Sequence, residues 1–590
     1  MEKILMSGDE AIARGAWEAG VCVASAYPGT PSTEILENMA QYKDDLYCSW
    51  SNNEKTATEI AFGASLGGVR AMVSMKHVGM NVAADPIFTA AYTGVNGGLV
   101  IVSADDPGCY SSQNEQDNRL YALHARLGML EPSDSQECLE YTKAAFELSE
   151  KFDLPMMIRV TTRVCHSKSV VQTGQRNEIK PLPYVSNPEK YAMLPANARV
   201  RHVQVEKNLE ALKDYAETCA LNKTIYNEGD IGIICSGICY MHAREAFGDS
   251  ASYLKLAVTH PLPDKLIKAF CSKVKTVYII EEGEPYLENA IKALGIECSG
   301  KNRLGPQGEL DAQRIRAAFG LGEPPEIYPQ PAQAPARPPV LCAGCPHRGF
   351  YFAMQKHKDS IVAIGDIGCY SLGVSAPFFG FEACICMGSG FSIPIGLSIA
   401  LKRQGDKRKV IGILGDSTFY HSGFNSLVDA VHQMADVCLV ILDNSITAMT
   451  GHQVNSGVER DLMGREVPVI PLEGMVMSAG LDKDRVRIVD PIDQQAMNAA
   501  IEAAVSTQGT FVIISRRPCA LLKEEIRLRA GRHCEIDREL CRGCKACTKT
   551  ACPSLAFEGK KAYIADAANC TGCGLCLQMC RFGAIKTVGG

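Results

Sequence analysis

The apolar positions of this chain gather into short runs separated by polar turns and by helix-spaced stripes. Val410 to Leu414 is one such run, which predicts a buried strand. Gly415-Asp416-Ser417 turns the chain at its carboxyl end. Phe424, Leu427, Val428, Val431 and Met434 then recur at helical spacing, and Val437 to Leu442 is a second apolar run that ends in Asp443-Asn444. The pattern predicts a strand, a crossover helix and a parallel strand. Asp416 and Asn444 then share the carboxyl edge of one sheet, where open α/β sheets bind ligands.

The same alternation appears earlier. Val21 to Tyr27 reads as a strand, followed by the turn Pro28-Gly29-Thr30-Pro31-Ser32, with Thr30 as N-cap and Pro31 as first helical residue. Asn53-Glu54, the small-residue stretch Ala61 to Ser65 and a strand over Val69 to Met75 follow. Met75 to Asn81 and Ser111 to Asp117 are polar loops after strand-like runs. From Arg199 to Gly320 a further α/β piece is expected, with strands at Ile231–Ser236 and Val277–Glu281, a helix from Tyr286 and a turn over Thr259–Pro263. The proline-rich stretch Pro324 to Pro339 predicts an extended linker and a domain boundary.

Composition narrows the class. A chain of 590 residues suggests about four domains. The net charge of −6 gives no sign of nucleic-acid or membrane binding. The N-terminus has no signal-peptide pattern, and no apolar stretch approaches the ~20 residues of a membrane helix, so a cytoplasmic protein is expected. Its 26 cysteines are then unlike a disulfide set and point to metal or cluster ligation.

Two cysteine runs carry the strongest spacing. Cys541-x2-Cys544-x2-Cys547-x4-Cys552-Pro553 precedes Cys570-x2-Cys573-x2-Cys576-x3-Cys580. This is the two-cluster bacterial ferredoxin pattern, in which the fourth cysteine of each run ligates the other cluster. Cys541, Cys544, Cys547 and Cys580 are assigned to one [4Fe–4S] cluster, and Cys570, Cys573, Cys576 and Cys552 to the other. The extra residue before Cys552 and Arg581 in place of a proline remove no ligand; a zinc ribbon is the competing reading. Cys534 is left over as structural. Cys342-x2-Cys345, with Cys369 and Cys519, admits zinc, a redox thiol pair or a cluster.

The motifs together resemble the 2-oxoacid:ferredoxin oxidoreductase family. There the Gly-Asp-Ser turn, the later Asn and a tail like Thr450-Gly451-His452-Gln453 form a thiamine diphosphate site. The resemblance implies Mg²⁺ held by Asp416, Asn444 and the Ile446 carbonyl, with Gly415 and Ser417 in the cofactor turn; oxygen donors suit this hard ion. The YPGTP turn, with Glu54 nine residues before Gly63-Ala64, resembles the family's pyrimidine-binding domain. Glu54 would then bond the pyrimidine ring and favour the imino tautomer that deprotonates the thiazolium carbon; Glu59 is its competitor. Thr30 and His77 are further candidate catalytic residues, with a backbone-bonded loop histidine as the alternative for His77. The two polar loops resemble the arylpyruvate-oxidising (indolepyruvate) branch. No arginine in Val102 to Gly108 matches the one that grips pyruvate in the other branch. His421, His432 and His452 are read as structural.

The implied fold is α/β, with two doubly wound thiamine diphosphate domains (1–198 for the pyrimidine, 340–530 for the diphosphate). Between them stand a transketolase C-terminal-like domain (199–322) and a linker (323–339), and a ferredoxin domain (531–590) ends the chain. Cys342, Cys345, Cys369 and Cys519 match, in order, the family's proximal [4Fe–4S] ligands. The implied reaction is oxidative decarboxylation of arylpyruvates to acyl-coenzyme A, with electrons leaving through the clusters to soluble ferredoxin. A smaller β subunit and a dimer of heterodimers are expected. Another 2-oxoacid, a non-oxidative thiamine decarboxylase and a pure electron-relay subunit remain as alternatives.

Overall fold

The computed structural model describes residues 2–322, 335 and 337–589. Most of the expected linker, residues 323–334 and 336, therefore lies outside the described residues. The chain divides into two compact units, Met1–Gln330 with Leu462–Gly464, and Pro331–Asp461 with Arg465–Gly590.

The first unit is built on a seven-stranded sheet. Its order is Val258–His260, Gly128–Leu130, Met156–Thr161, Leu99–Asp105, Ala71–Lys76, Val23–Ala26 and Tyr47–Trp50. All neighbours are parallel except the first pair. Chain order reverses between Val23–Ala26 and Ala71–Lys76, so a topological switch point lies beyond their carboxyl ends. Side chains alternate between two buried cores: Met72, Val100 and Val102 enter one, Val73, Leu99 and Ile101 the other. The strands are apolar on both faces because helices cover both.

Residues 199–322 do not stand apart from this sheet. The expected division after residue 198 falls inside the helix Pro195–Ala216. Thr259 and His260, expected in a turn, belong to the antiparallel edge strand Val258–His260. The four-stranded sheet of this piece sends Ile234, Leu254 and Ile279 into the same core as Val73 and Ile101. Arg119 ties the two together: fully buried, it bonds Asp117 Oδ2 (2.6 Å), Glu281 Oε2 (2.7 Å) and the Glu282 carbonyl (2.7 Å).

The second unit holds a five-stranded parallel sheet, ordered Ile361–Ile364, Lys409–Gly415, Val437–Asp443, Phe511–Arg516 and Val486–Val489. Ile411, Ile413 and Val440 pack on one side, Val410, Leu414 and Leu439 on the other. The crossover helix Phe424–His432 forms where the periodicity places it, but Met434 lies beyond its end at φ +51° and is exposed, as is Val428. The helix ends before Met434, so that residue cannot extend the apolar stripe. The cysteine-rich tail folds as two small antiparallel pairs, His533–Ile536 with Ile585–Val588 and Leu555–Glu558 with Lys561–Ile564. Among the described residues no helix is long and apolar enough to cross a membrane.

Candidate functional site

In the second unit, adjacent strands deliver Asp416 and Asn444 to one edge. Lys409–Gly415 pairs in parallel with Val437–Asp443, so both residues begin the turns that leave the sheet side by side. Gly415 is required here: a Cβ would stand 2.8 Å from the Tyr370 ring. The Asn444 amide atom facing inward lies 2.8 Å from the Ile446 carbonyl oxygen and 3.1 Å from Asp416 Oδ1. As nitrogen it donates to both. As oxygen it completes a triangle of three oxygens. Oxygens at about 2.1 Å from an octahedral Mg²⁺ stand about 3 Å apart along each edge, so the residues present fit that ion. Asp416 Oδ2 accepts from Asn455 Nδ2 at 3.0 Å, and Thr447 Oγ1 donates to Ser417 Oγ at 2.8 Å. Burial, reinforced by the neighbouring Asp443 carboxylate, pushes the Asp416 carboxyl up to about 7. A cation at the triangle would relieve both effects.

A second acid at this edge was not singled out from sequence. Asp366 follows the strand Ile361–Ile364, is fully buried, and accepts from the Gly390 and Ile367 amides at 2.6 Å each. Burial pushes its carboxyl up to about 7. Its signal is a second Gly-Asp pair, Gly365-Asp366, at a strand end.

In the first unit, Glu54 opens the helix Glu54–Leu66, whose N-cap Asn53 accepts from the Thr56 amide at 2.9 Å. Glu54 is buried, whereas its competitor Glu59 is exposed and paired with Lys55. The Glu54 carboxylate packs on Gly79, where a Cβ would meet Oε1 at 2.8 Å. His77 is fully buried at the start of the helix His77–Val82. Its Nε2 lies 3.3 Å from the Asn114 carbonyl oxygen, Nδ1 has no partner among the described residues, and burial lowers its pKa. Met75 to Asn81 is therefore no loop, since the strand Ala71–Lys76 runs straight into this helix, and the second polar segment packs on it: Asn118 Nδ2 and Gln116 Nε2 donate to the His77 carbonyl, at 3.0 and 3.2 Å.

Thr30 does not cap a helix. The turn closes through the Ser32 amide on the Gly29 carbonyl (2.8 Å), and the helix starts at Thr33, whose Oγ1 accepts from the Gly29 amide. Pro31 consequently precedes the helix. Thr30 instead offers its carbonyl to Ser111 Oγ at 3.3 Å, which brings it beside the second polar loop. Lys76, passed over in the sequence, is buried there; Nζ donates to the Ser111 carbonyl at 2.5 Å, and burial lowers its pKa to about 8.

The cysteines gather in groups. Cys345 and Cys369 each neighbour Cys342, and Cys369 neighbours Cys519; burial pushes the Cys345 thiol up to about 12 and Cys369 to about 11. Cys547 neighbours Cys541, Cys544 and Cys580, while Cys552 neighbours Cys570 and Cys573. Amide N–H groups of Cys534 and Ala584 point at Cys570 and Cys580 sulfur, each at 3.3 Å. Such bonds favour sulfur carrying negative charge, as in iron–sulfur ligation. Cys534 is thus buried against cluster-type thiols. His452 Nε2 lies 3.7 Å from Cys519 sulfur. The Cys519 amide donates to the Asn444 carbonyl at 3.0 Å, so the late cysteine and the strand-end asparagine share one backbone bond.

Gly344 explains how the first cysteine pair meets the tail. At φ +71°, a Cβ there would stand 2.2 Å from Thr571 Oγ1. Arg348, three residues after Cys345, is buried; its Nε donates to the Cys342 carbonyl at 2.8 Å, and Nη1 to the Thr550 carbonyl at 3.2 Å and to that of Ala551.

Comparison with known proteins agrees with this layout. Residues 14–221 match the family model "Pyruvate flavodoxin/ferredoxin oxidoreductase, thiamine diP-bdg". Residues 366–515 match "Thiamine pyrophosphate enzyme, C-terminal TPP binding domain", and 563–586 match "4Fe-4S binding domain". The chain is 41% identical to the indolepyruvate oxidoreductase subunit IorA of Archaeoglobus fulgidus, across 99% of this chain and 97% of that one. Against the IorA subunits of Methanothermobacter thermautotrophicus and Pyrococcus horikoshii it is 38% and 37% identical, covering 100% of this chain and 98% and 97% of theirs. With thiamine diphosphate-binding and iron–sulfur domains matched in the order their residues foretell, and relatives aligned end to end, the chain belongs to the indolepyruvate oxidoreductase subunit IorA family.

Proposed function

We propose that this chain oxidatively decarboxylates an arylpyruvate such as indolepyruvate. The bond from the carboxylate to the keto carbon breaks and carbon dioxide leaves. A thioester to coenzyme A forms with loss of the thiol proton, and two electrons pass singly to two ferredoxins. Thiamine diphosphate, when bound, supplies the carbanion chemistry that lets the carboxylate carbon depart.

The residues divide the remaining work. Asp416, Asn444 and the Ile446 carbonyl would hold Mg²⁺, and the Gly415–Ser417 turn would receive the diphosphate. Glu54 holds a proton at the pyrimidine ring, its buried position setting it apart from Glu59. Thr30 and His77 line the substrate side. Lys76, a buried cation beside both, takes the 2-oxoacid carboxylate in place of the absent arginine. Cys342, Cys345, Cys369 and Cys519 hold a proximal [4Fe–4S] cluster, and the two tail sets hold two more. A smaller β subunit, soluble ferredoxin as acceptor, a dimer of heterodimers and a cytoplasmic location complete the reading.

The observation that carries this reading is the convergence of the Asn444 side-chain amide on Asp416 Oδ1 and the Ile446 carbonyl oxygen, in the same compact unit as all three cysteine sets. Anaerobically purified enzyme should reduce viologen with indolepyruvate, phenylpyruvate or hydroxyphenylpyruvate plus coenzyme A, and less well with pyruvate. Preference for pyruvate would move the assignment to another 2-oxoacid. Coenzyme A-independent aldehyde release without viologen reduction would replace it with a non-oxidative decarboxylase.

A further inference from the structure

One buried carboxylate stands outside the machinery above. Asp9 lies in the first turn of the helix Gly8–Glu18 and is fully shielded from solvent. Among the described residues no N–H or O–H reaches either of its oxygens; the Cys165 thiol is the donor beside it. Glu34, in the first turn of the helix Thr33–Met39, also buries Oε2 without a partner. His166, exposed, ends the helix Thr162–His166. Gly8 allows this approach, since a Cβ there would meet the Val164 carbonyl oxygen at 2.1 Å. One ligand atom from each of Asp9, Glu34 and His166 lies within 4.8 Å of the others.

A buried carboxylate whose one neighbouring donor is a weak thiol is costly, and a cation removes that cost. We propose that Asp9, Glu34 and His166 bind a divalent transition-metal ion. Tetrahedral ligands at about 2.1 Å from an ion stand about 3.4 Å apart, so side-chain rotations that draw the three atoms in by about 1 Å close the set. An imidazole with two carboxylates suits zinc better than magnesium, which prefers six oxygens. The ion would pin the starts of two helices to the end of a third. The test is zinc content per chain, measured on full-length, anaerobically purified enzyme stripped on chelating resin and reloaded with Zn²⁺ alone. Wild type should retain one equivalent that Asp9→Asn and His166→Gln lose, with affinity lowered at least about tenfold. Asp9→Asn keeps the shape of the core, and His166 is exposed, so both variants should fold. Equal zinc in all three proteins, or none in wild type, overturns the site.

A separate observation concerns Arg348 and rests on the functional reading above. This buried side chain bonds carbonyls on both sides of the junction between the Cys342 segment and the tail, and its Nη2 has no partner among the described residues. It lines one cavity with Cys345, Cys552, Cys570, Cys573 and Cys576. We infer that Arg348 is a positioning residue whose charge raises the reduction potentials of the proximal cluster and of the tail cluster beside it. Each electron that leaves the first, oxidising it, reduces the second, and a nearby cation stabilises the more negative, reduced form of either. Redox titration followed by electron paramagnetic resonance tests this. Arg348→Met should shift both reduction equilibria about tenfold toward the oxidised form, about 59 mV for one electron, and Arg348→Lys should recover part of the shift. Unchanged potentials with full cluster content overturn the inference. About eight iron atoms per wild-type chain, rather than about twelve, would instead remove the proximal cluster itself, and the inference with it.

Discussion

The strand-edge residues and the cysteine tail reach order by opposite routes. Asp416 and Asn444 stand where two fully apolar strands end, and Glu54 where an Asn-capped helix begins. Their backbone would be fixed without any cofactor. The tail has little such support. Its buried cluster is Cys534, Cys547, Ala562, Cys576 and Ile585, so much of its core is sulfur. Small domains of this kind draw their folding energy from the metal. Cofactor loss should therefore cost the sheet its chemistry and the tail its structure.

The largest expected effect follows directly. Stripping iron with a chelator under reducing conditions should abolish amide-exchange protection across residues 533–588, while strands Lys409–Gly415 and Val437–Asp443 stay protected. Equal loss in both regions would break the contrast. Next, Glu54→Gln should lower kcat by about 10²–10⁴-fold with iron content unchanged; the same change at Glu59 should do little. Asp416→Ala should lower kcat/KM at least about 100-fold and weaken thiamine diphosphate binding, yet leave the brown colour of the tail.

Smaller effects sharpen the picture. Asn53→Ala removes the cap that starts the Glu54 helix and should cost about 1 kcal/mol in thermal unfolding. Asp117 gives a pH signature confined to the first unit. Burial would raise its carboxyl, but Arg119 overrides this and holds it at about 2, below its ordinary 3.8. Its folded value is depressed, so its contribution is complete above the ordinary value and fades as pH falls toward about 2. Stability of the first unit should drop over that window, and Asp117→Asn should flatten the drop.

What could be read from sequence follows the same division. The grouping of the tail cysteines was legible because it depends on spacing along the chain. The Asp416 and Asn444 turns were legible because apolar runs end abruptly there. Asp366 was not, since its partner Gly390 lies far along the chain and only the fold joins them. Arg348 and Lys76 were missed for a related reason: a buried cation looks like a surface one until the carbonyls around it are known. The merging of residues 199–322 with the first sheet hinged on the short edge strand Val258–His260, whose Thr-His-Pro sequence reads as a turn. Thr30 misled because its following proline mimics a helix start, whereas Ser32 and Thr33 close the turn first.

One backbone bond, from the Cys519 amide to the Asn444 carbonyl, couples two jobs that evolution could otherwise adjust separately. Tunnelling rates fall steeply with separation. Were Cys519 to hold the first iron as proposed, this link would tie its position to the Asn444 turn, and a drift on either side would carry its counterpart along.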